Sequence, residues 1–191
     1  MGKILIQPGR SLFFCLIILF FSIRPTSAQT TQFRKYVDTI HKFSFDLPSH
    51  WAIKYSDIQH GIICIPITSK EKEIYKDCFE GIVFRMEFFN TGLDSTLTAD
   101  GNYTKLGNNY YTMDRFDSVE AKNIQGKTWT GIYHNNVCGI SCKSNGFHAA
   151  AGQCEFMYFS NGNITVLIGT NGRALDDNIL KRLLNSFNFN Q

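Results

Sequence analysis

The clearest pattern of apolar and polar positions lies at the carboxyl end, where Gln153 to Phe189 reads as strand, turn, strand and closing amphipathic helix. Cys154 to Ser160 alternates bulky apolar with other side chains, and Ile164 to Thr170 is rich in β-branched residues. Both suit a pleated, half-buried surface. Asn161, Gly162 and Asn163 between them tolerate the positive φ that a tight hairpin turn needs. After the break at Asn171-Gly172-Arg173, Asp176 is placed to cap a helix, with Asp177 in its first turn, where negative charge complements the helix dipole. Ile179, Leu180, Leu183, Leu184 and Phe187 fall on one helical face, with Lys181 and Arg182 turned away. The stripe is expected to be buried, with the hairpin as its nearest partner.

Upstream, residues 29–42 are polar and lead in through a tail and a first strand. Phe43 to Leu47 alternates until Pro48, which fixes φ and removes a donor, so the strand is expected to stop there and Trp51 to drop onto the core. Trp51 to Tyr55 and Gly61 to Ile67 read as strands, Pro66 marking an edge or end, and Ile82 to Phe89 as another. Ser69 to Glu80 carries charges of both signs, which is the mark of a solvated helix or loop. Leu93, Leu97 and Leu106, among glycines 92, 101 and 107, predict a broken helix crossing one sheet face. Tyr110 to Phe116 and Ser118 to Ile124 look extended, and Lys127 to His134 opens the final meander. Within it the Gly- and Ala-rich SCKSNGFHAAAG reads as an insertion between strands. The fold class is α+β, with a C-terminal amphipathic helix on a mainly antiparallel sheet.

Three of these segments carry a family resemblance. The strand, proline and tryptophan of Phe43 to Trp51, the Gly126-Lys127-Thr128-Trp129 strand opening, and the terminal Ile179 to Phe187 helix together resemble the PsbP-like superfamily. The resemblance spans most of residues 36–189 and implies an α/β/α-type sandwich on a curved sheet, with residues 43–191 as a single PsbP-like domain after the 29–42 lead-in. Relatives act as non-catalytic accessory or docking proteins. That implies a binding or accessory module whose partner, a protein or a small ligand, is unknown.

The amino end changes the picture of where the chain works. Lys3 and Arg10 precede an apolar run from Leu12 to Ile23, followed by Pro25 and Thr26-Ser27-Ala28. That run is shorter than the roughly 20 residues a spanning helix needs, and small residues precede Gln29, so residues 1–28 read as a signal peptide cleaved between Ala28 and Gln29. The alternative is an uncleaved anchor. Cys15 sits inside the apolar run behind Phe13-Phe14 and does not read as a lipidation site. The mature protein is expected to be exported, periplasmic or secreted, with no stable membrane anchor after cleavage. Lys3, Arg10 and Arg24 account for the whole excess of 19 basic over 16 acidic residues. No basic patch therefore points to nucleic acid.

Candidate chemistry is confined to one constellation: His134, Cys138, Cys142, His148 and Cys154. Thiolates and imidazoles converging from a loop can hold zinc, and a metal-dependent or hydrolytic enzyme using this loop is the alternative function. The spacing lacks the close Cys-x-x-Cys pair, and export favours oxidation, so a disulfide is preferred: Cys154 with Cys138 or Cys142, and Cys64 with Cys78. Gly139-Ile140-Ser141 begins like a nucleophile elbow, but Lys143 stands where the second glycine belongs. Ser69 to Lys72 matches Ser-x-x-Lys without its companion motifs. His41, His50 and His60 read as surface or packing residues. No cofactor is expected. Tyr103, Tyr110 and Tyr111 are candidate docking aromatics, because rings offer large contact area at low side-chain entropy.

Overall fold

Alternating patterns cover most of the chain, and antiparallel strands are the outcome. A computed structural model describes residues 31–55, 57–64, 83–114, 117–142, 146–172 and 174–190. The expected signal peptide with its Ala28–Gln29 junction, Pro66, and the Ser69 to Glu80 stretch with Cys78 lie outside the described residues. From Gln32 onward the chain belongs to one compact unit. Its strands are β1 (Phe33–Asp38), β2 (Phe43–Pro48), β3 (Ala52–Tyr55), β4 (His60–Cys64) and β5 (Val83–Phe89), followed by helix α1 (Leu93–Asp100). Then come β6 (Tyr103–Leu106), β7 (Asn109–Asp114), β8 (Asp117–Gln125), β9 (Thr130–Cys142), β10 (Gly146–Ser160), β11 (Thr165–Asn171), helix α2 (Asp177–Ser186) and β12 (Asn188–Phe189).

Two sheets result, in the orders β1-β2-β12 and β3-β4-β5-β11-β10-β9-β8-β7-β6. Strong alternation gives the larger sheet two faces with separate cores, since successive side chains of a strand point to opposite sides. On β10, Met157 and Phe159 enter one core with Phe43, Phe45, Leu183 and Phe187. Tyr158, between them, enters the other core with Leu97 of α1, Ala121, Ile132 and Leu167. One face thus carries α2 and the small sheet, and the other carries α1.

Asp176 caps α2 as its sequence position requires, accepting from the Asn178 amide at 2.9 Å. Leu183 and Phe187 are buried, Ile179, Leu180 and Leu184 pack beside them, and Lys181 and Arg182 are exposed. The hairpin is only part of the helix's seat. α2 also lies against β2, where Ser186 Oγ accepts from the Asp46 amide at 2.8 Å and Arg182 reaches the Asp46 carboxylate at 2.6 Å. At the end of the helix, Phe187 stacks on Phe159 at 3.8 Å, and Trp129 Nε1 donates to the Phe187 carbonyl at 2.8 Å. Gly126 sits beneath that indole, where any β-carbon would collide with the ring.

Two expectations about the path of the chain are corrected. Leu106 is not part of a helix: Gly101, at φ 74°, takes the left-handed conformation that ends α1 and turns the chain into the β6–β7 hairpin, leaving Leu106 exposed. Nor do the described residues of SCKSNGFHAAAG, 141–142 and 146–152, form a loop insertion. β9 and β10 continue as paired strands as far as Cys142 opposite Gly146, with a register irregularity between His148 and Gly152. Glycine and alanine depress strand propensity, but pairing to a long partner outweighs so small a local preference.

Candidate functional site

The face that carries α1 also carries a cleft. Its volume is about 760 Å³, between the C-terminal end of α1 and the side chains that β5, β7, β9 and β10 present on that face. Alternation places Cys154, Phe156 and Tyr158 of β10 along its floor, beside His134 and Asn136 of β9.

A hydrogen-bonded series crosses this floor. Asn136 Nδ2 donates to the Met113 carbonyl at 3.3 Å, which turns Asn136 Oδ1 toward His134 Nδ1 at 3.1 Å. A carbonyl oxygen can only accept, so Nδ1 carries the proton, and in the neutral ring Nε2 accepts from the Tyr103 hydroxyl at 2.6 Å. The imidazole is further held by stacking on Phe156, at 4.9 Å and 20°. Tyr103 meets Tyr158 edge to face, and the Tyr158 hydroxyl donates to Asp100 Oδ2 at 2.8 Å. Asp100 is exposed at the end of α1, whereas the Tyr158 side chain beneath it is buried.

The electrostatics keep these hydroxyls protonated. Burial pushes Tyr103 well above the ordinary phenol range. Tyr158 is raised further, first by burial, then by Tyr103 and the Asp100 carboxylate. A hydroxyl becomes a nucleophile when its pKa is lowered or a base takes its proton; here the surroundings favour the O–H form, so these groups act as donors. At the far wall, Arg85 Nε and Glu87 Oε1 pair at 3.0 Å.

A second polar cluster lies elsewhere, where the β1–β2 turn meets β3. Asp38 is buried and accepts from the Ile40 amide at 2.8 Å, from the His41 amide at 2.6 Å and from the Tyr55 hydroxyl. His41 Nδ1 lies 3.2 Å from Asp38, its Nε2 lies 2.8 Å from the Ile58 carbonyl, and its ring stacks on Phe88 at 3.8 Å and 5°. Burial alone would raise the Asp38 pKa, but the bonds from Tyr55 and from the His41 amide and ring outweigh it and hold the carboxyl below its usual range.

The structure thus brings together three of the residues singled out in the sequence, Tyr103, His134 and Cys154. Of the other candidates, Tyr110 is buried in the core with Leu97, so it offers no docking ring. Tyr111 is half-buried, with its hydroxyl 3.2 Å from Glu120. Cys64, Cys138, Cys142 and His148 have described backbones in strands, but their side chains, like all of Cys78, lie outside the described set. Sequence reasoning missed Tyr158, Asp100, Asn136, Arg85 and Glu87. The alternation that marked β10 as a strand could have grouped Tyr158 with Cys154 and Phe156, but nothing in it shows which face stays open.

No protein-family model matches the chain, and no curated protein matches it. A solved structure from Bacteroides thetaiotaomicron VPI-5482 is similar over 83% of this chain and 48% of its own length, with 11% identity and a TM-score of 0.47. The chain spans about half the length of that neighbour, and so distant a likeness carries no functional argument.

Proposed function

We propose that the protein is an exported PsbP-like binding module, an α/β/α-type sandwich that takes up a small ligand in the cleft beneath α1. The observation that carries this reading is the cleft itself. Its size falls within the roughly 300–1,000 Å³ of small-molecule sites, and its polar groups are oriented before any ligand arrives. The hydrogen bonds that His134 accepts from the Tyr103 hydroxyl and donates to the Asn136 side-chain carbonyl support binding over catalysis, since a metal ion at His134 would have to displace one of them. Export rests on the amino-terminal sequence; among the described residues no helix is long and apolar enough to cross a membrane.

The same reading includes a staple between Cys154 and Cys138. Cys154 lies opposite Asn136, and Cys138 lies opposite Gly152, so the two cysteines are diagonal neighbours. Diagonal positions on one face are about 7–8 Å apart, just beyond a disulfide's usual span, so the bridge needs a small shift of the backbone. Cys142 lies opposite Gly146, eight residues along β10 from Cys154, which at about 3.3 Å per residue is far out of reach.

The test is a small-molecule screen by NMR against the wild type and Ala99→Trp, which places an indole in the cleft from an exposed position on α1. Ligands are expected to shift resonances of Tyr103 and His134 in the wild type and to lose that effect in the variant. Binding unaffected by Ala99→Trp would remove the cleft from consideration. Stoichiometric zinc in protein purified without chelator would favour the metal-dependent alternative.

A further inference from the structure

We propose that the cleft's ligand is a neutral polyhydroxylated ring, a saccharide unit, gripped by planar polar side chains around its rim and packed on aromatic side chains within. The inference rests on the cleft being a binding site and goes on to the chemistry of what it binds.

A sugar hydroxyl donates and accepts at once, so a site for several adjacent hydroxyls needs donors set beside acceptors. The rim of the cleft has that arrangement at separate points. On β5, Arg85 pairs through Nε with Glu87, and among the described residues the rest of the guanidinium offers donors beside a carboxylate that offers acceptors. At the end of α1, the Asp100 carboxylate lies beside the Asn102 amide, which already donates to it; Asp100 also accepts from Tyr158 and keeps lone pairs unused. On β9, Asn136 uses one amide hydrogen on Met113 and has a second. Between these points, half-buried Phe89, Phe156 and Tyr103 supply apolar surface against which the C–H faces of a ring can pack.

Charge separates this class from its competitors. Asp100 and Glu87 oppose an anionic ligand, since Arg85 is the one cationic side chain facing them among the described Lys and Arg residues of the lining, and it is already paired. An organic cation would want carboxylates without partners, whereas Glu87 is neutralised by Arg85 and Asp100 is satisfied in part by Tyr158. A wholly apolar ligand would cover the exposed Asp100 carboxylate and the second amide hydrogen of Asn136 without offering either a partner, which costs affinity.

The experiment uses the full chain recovered from its host and three probes: a panel of neutral oligosaccharides of α- and β-linked hexoses, tetramethylammonium and succinate. Binding is read by NMR shifts at Tyr103, His134 and Phe156 and by calorimetry. At least one oligosaccharide is expected to bind, with affinity reduced tenfold or more by Arg85→Gln and by Asp100→Asn, and with neither charged probe shifting those signals. Tetramethylammonium binding that Asp100→Asn abolishes would overturn the saccharide class in favour of a cation, and succinate binding lost in Arg85→Gln would overturn it in favour of an anion. If no saccharide binds but another compound does so in a manner blocked by Ala99→Trp, the class is wrong and the cleft stands. If nothing perturbs the cleft signals, both fail.

Discussion

The two polar clusters are built from the same kinds of residue, and they do different things. Around Asp38, a buried carboxylate collects the Ile40 and His41 amides, the His41 ring and the hydroxyl of the partly exposed Tyr55, tying the β1–β2 turn to β3 and, through His41, to the Ile58 carbonyl. Around Asp100, a carboxylate, a histidine and two tyrosines line a cleft, with the carboxylate on the exposed end of a helix. The difference lies in where the acceptor sits. A buried carboxylate that accepts several local donors has no capacity left for a ligand and holds the fold, whereas an exposed one with spare lone pairs is available to a partner. Residue type alone does not separate structural from functional clusters in this protein; access does.

Removing each carboxylate in turn separates the two clusters by their effect on stability. Asp38→Ala strands the Ile40 and His41 amides and the Tyr55 hydroxyl, and is expected to cost about 3–5 kcal/mol, the range for dismantling a buried charged network. Asp100→Ala removes an exposed acceptor but leaves the buried Tyr158 hydroxyl without it, and is expected to cost about 1–2 kcal/mol. Urea titration of both variants checks this, and equal midpoints would erase the distinction between knot and cleft.

Acid sharpens it further. Because the folded-state pKa of Asp38 lies below the ordinary 3.8, its contribution is complete above that value and is lost as pH falls through the lower folded-state value. The stability gap between wild type and Asp38→Asn is therefore expected to narrow below about pH 4. Glu155 has the opposite sign. Burial raises its pKa above 4.5 despite the bonds from the Leu175 amide and Tyr133, so the folded state holds its proton more tightly than the unfolded chain does. Its contribution is complete below 4.5 and is lost as pH rises through the folded-state value, so Glu155→Gln should gain on the wild type over that rise. Denaturation across both windows measures the two slopes, and a Glu155→Gln curve parallel to the wild type there would overturn the second.

The proposed staple is a smaller effect and bears on the open region. Linking Cys138 to Cys154 closes a loop for which chain entropy predicts about 3 kcal/mol at most, reduced by any strain of a diagonal pairing. Cys138→Ser is expected to lower stability by about 2 kcal/mol under oxidising conditions and by nothing measurable under reducing ones. Non-reducing peptide mapping decides the connectivity, and a Cys154–Cys142 peptide would mean that the β9–β10 register differs from the one described.

Much of this architecture was legible in the chain because local signals and packing agree. Asp176, the Leu183 face and the Asn161 to Asn163 turn each have one favourable role, and each takes it. The errors came where a tertiary partner decides. Leu93 and Leu97 keep helical spacing, but Gly101 stops the helix before Leu106; Gly146 to His148 read as part of an insertion, yet they pair with β9. For the site, His134, Cys154 and Tyr103 were legible as chemistry-bearing types, yet the metal and docking roles considered for them assume open coordination or exposed rings. Asp100, Asn136 and Arg85 were invisible because their significance comes from facing one another across β5, β9 and α1, far apart in sequence.

The smallest expected effect on stability is also the most informative about the cleft. Tyr103→Phe keeps the ring and its edge-to-face contact with Tyr158 and removes only the hydroxyl that donates to His134 Nε2. A net hydrogen bond contributes about 1 kcal/mol, and His134 faces a cleft wide enough to admit water as a replacement donor, so the loss of stability is expected to stay below about 1 kcal/mol. The same change in the knot, Tyr55→Phe, removes a donor from the buried Asp38 carboxylate, and is expected to cost about 1.5–3 kcal/mol, the range for a bond to a charged group. What Tyr103→Phe does alter is preorganisation, since the imidazole keeps its contacts with Asn136, Phe156 and the ring at position 103 but loses the hydroxyl that fixes Nε2, which is then open to a donor from the cleft. Ligand affinity should therefore fall more than stability does. Hydrogen exchange and calorimetry on the two tyrosine variants compare the clusters directly: a Tyr103→Phe protein as unstable as Tyr55→Phe, with ligand affinity unchanged, would make the cleft network another structural knot.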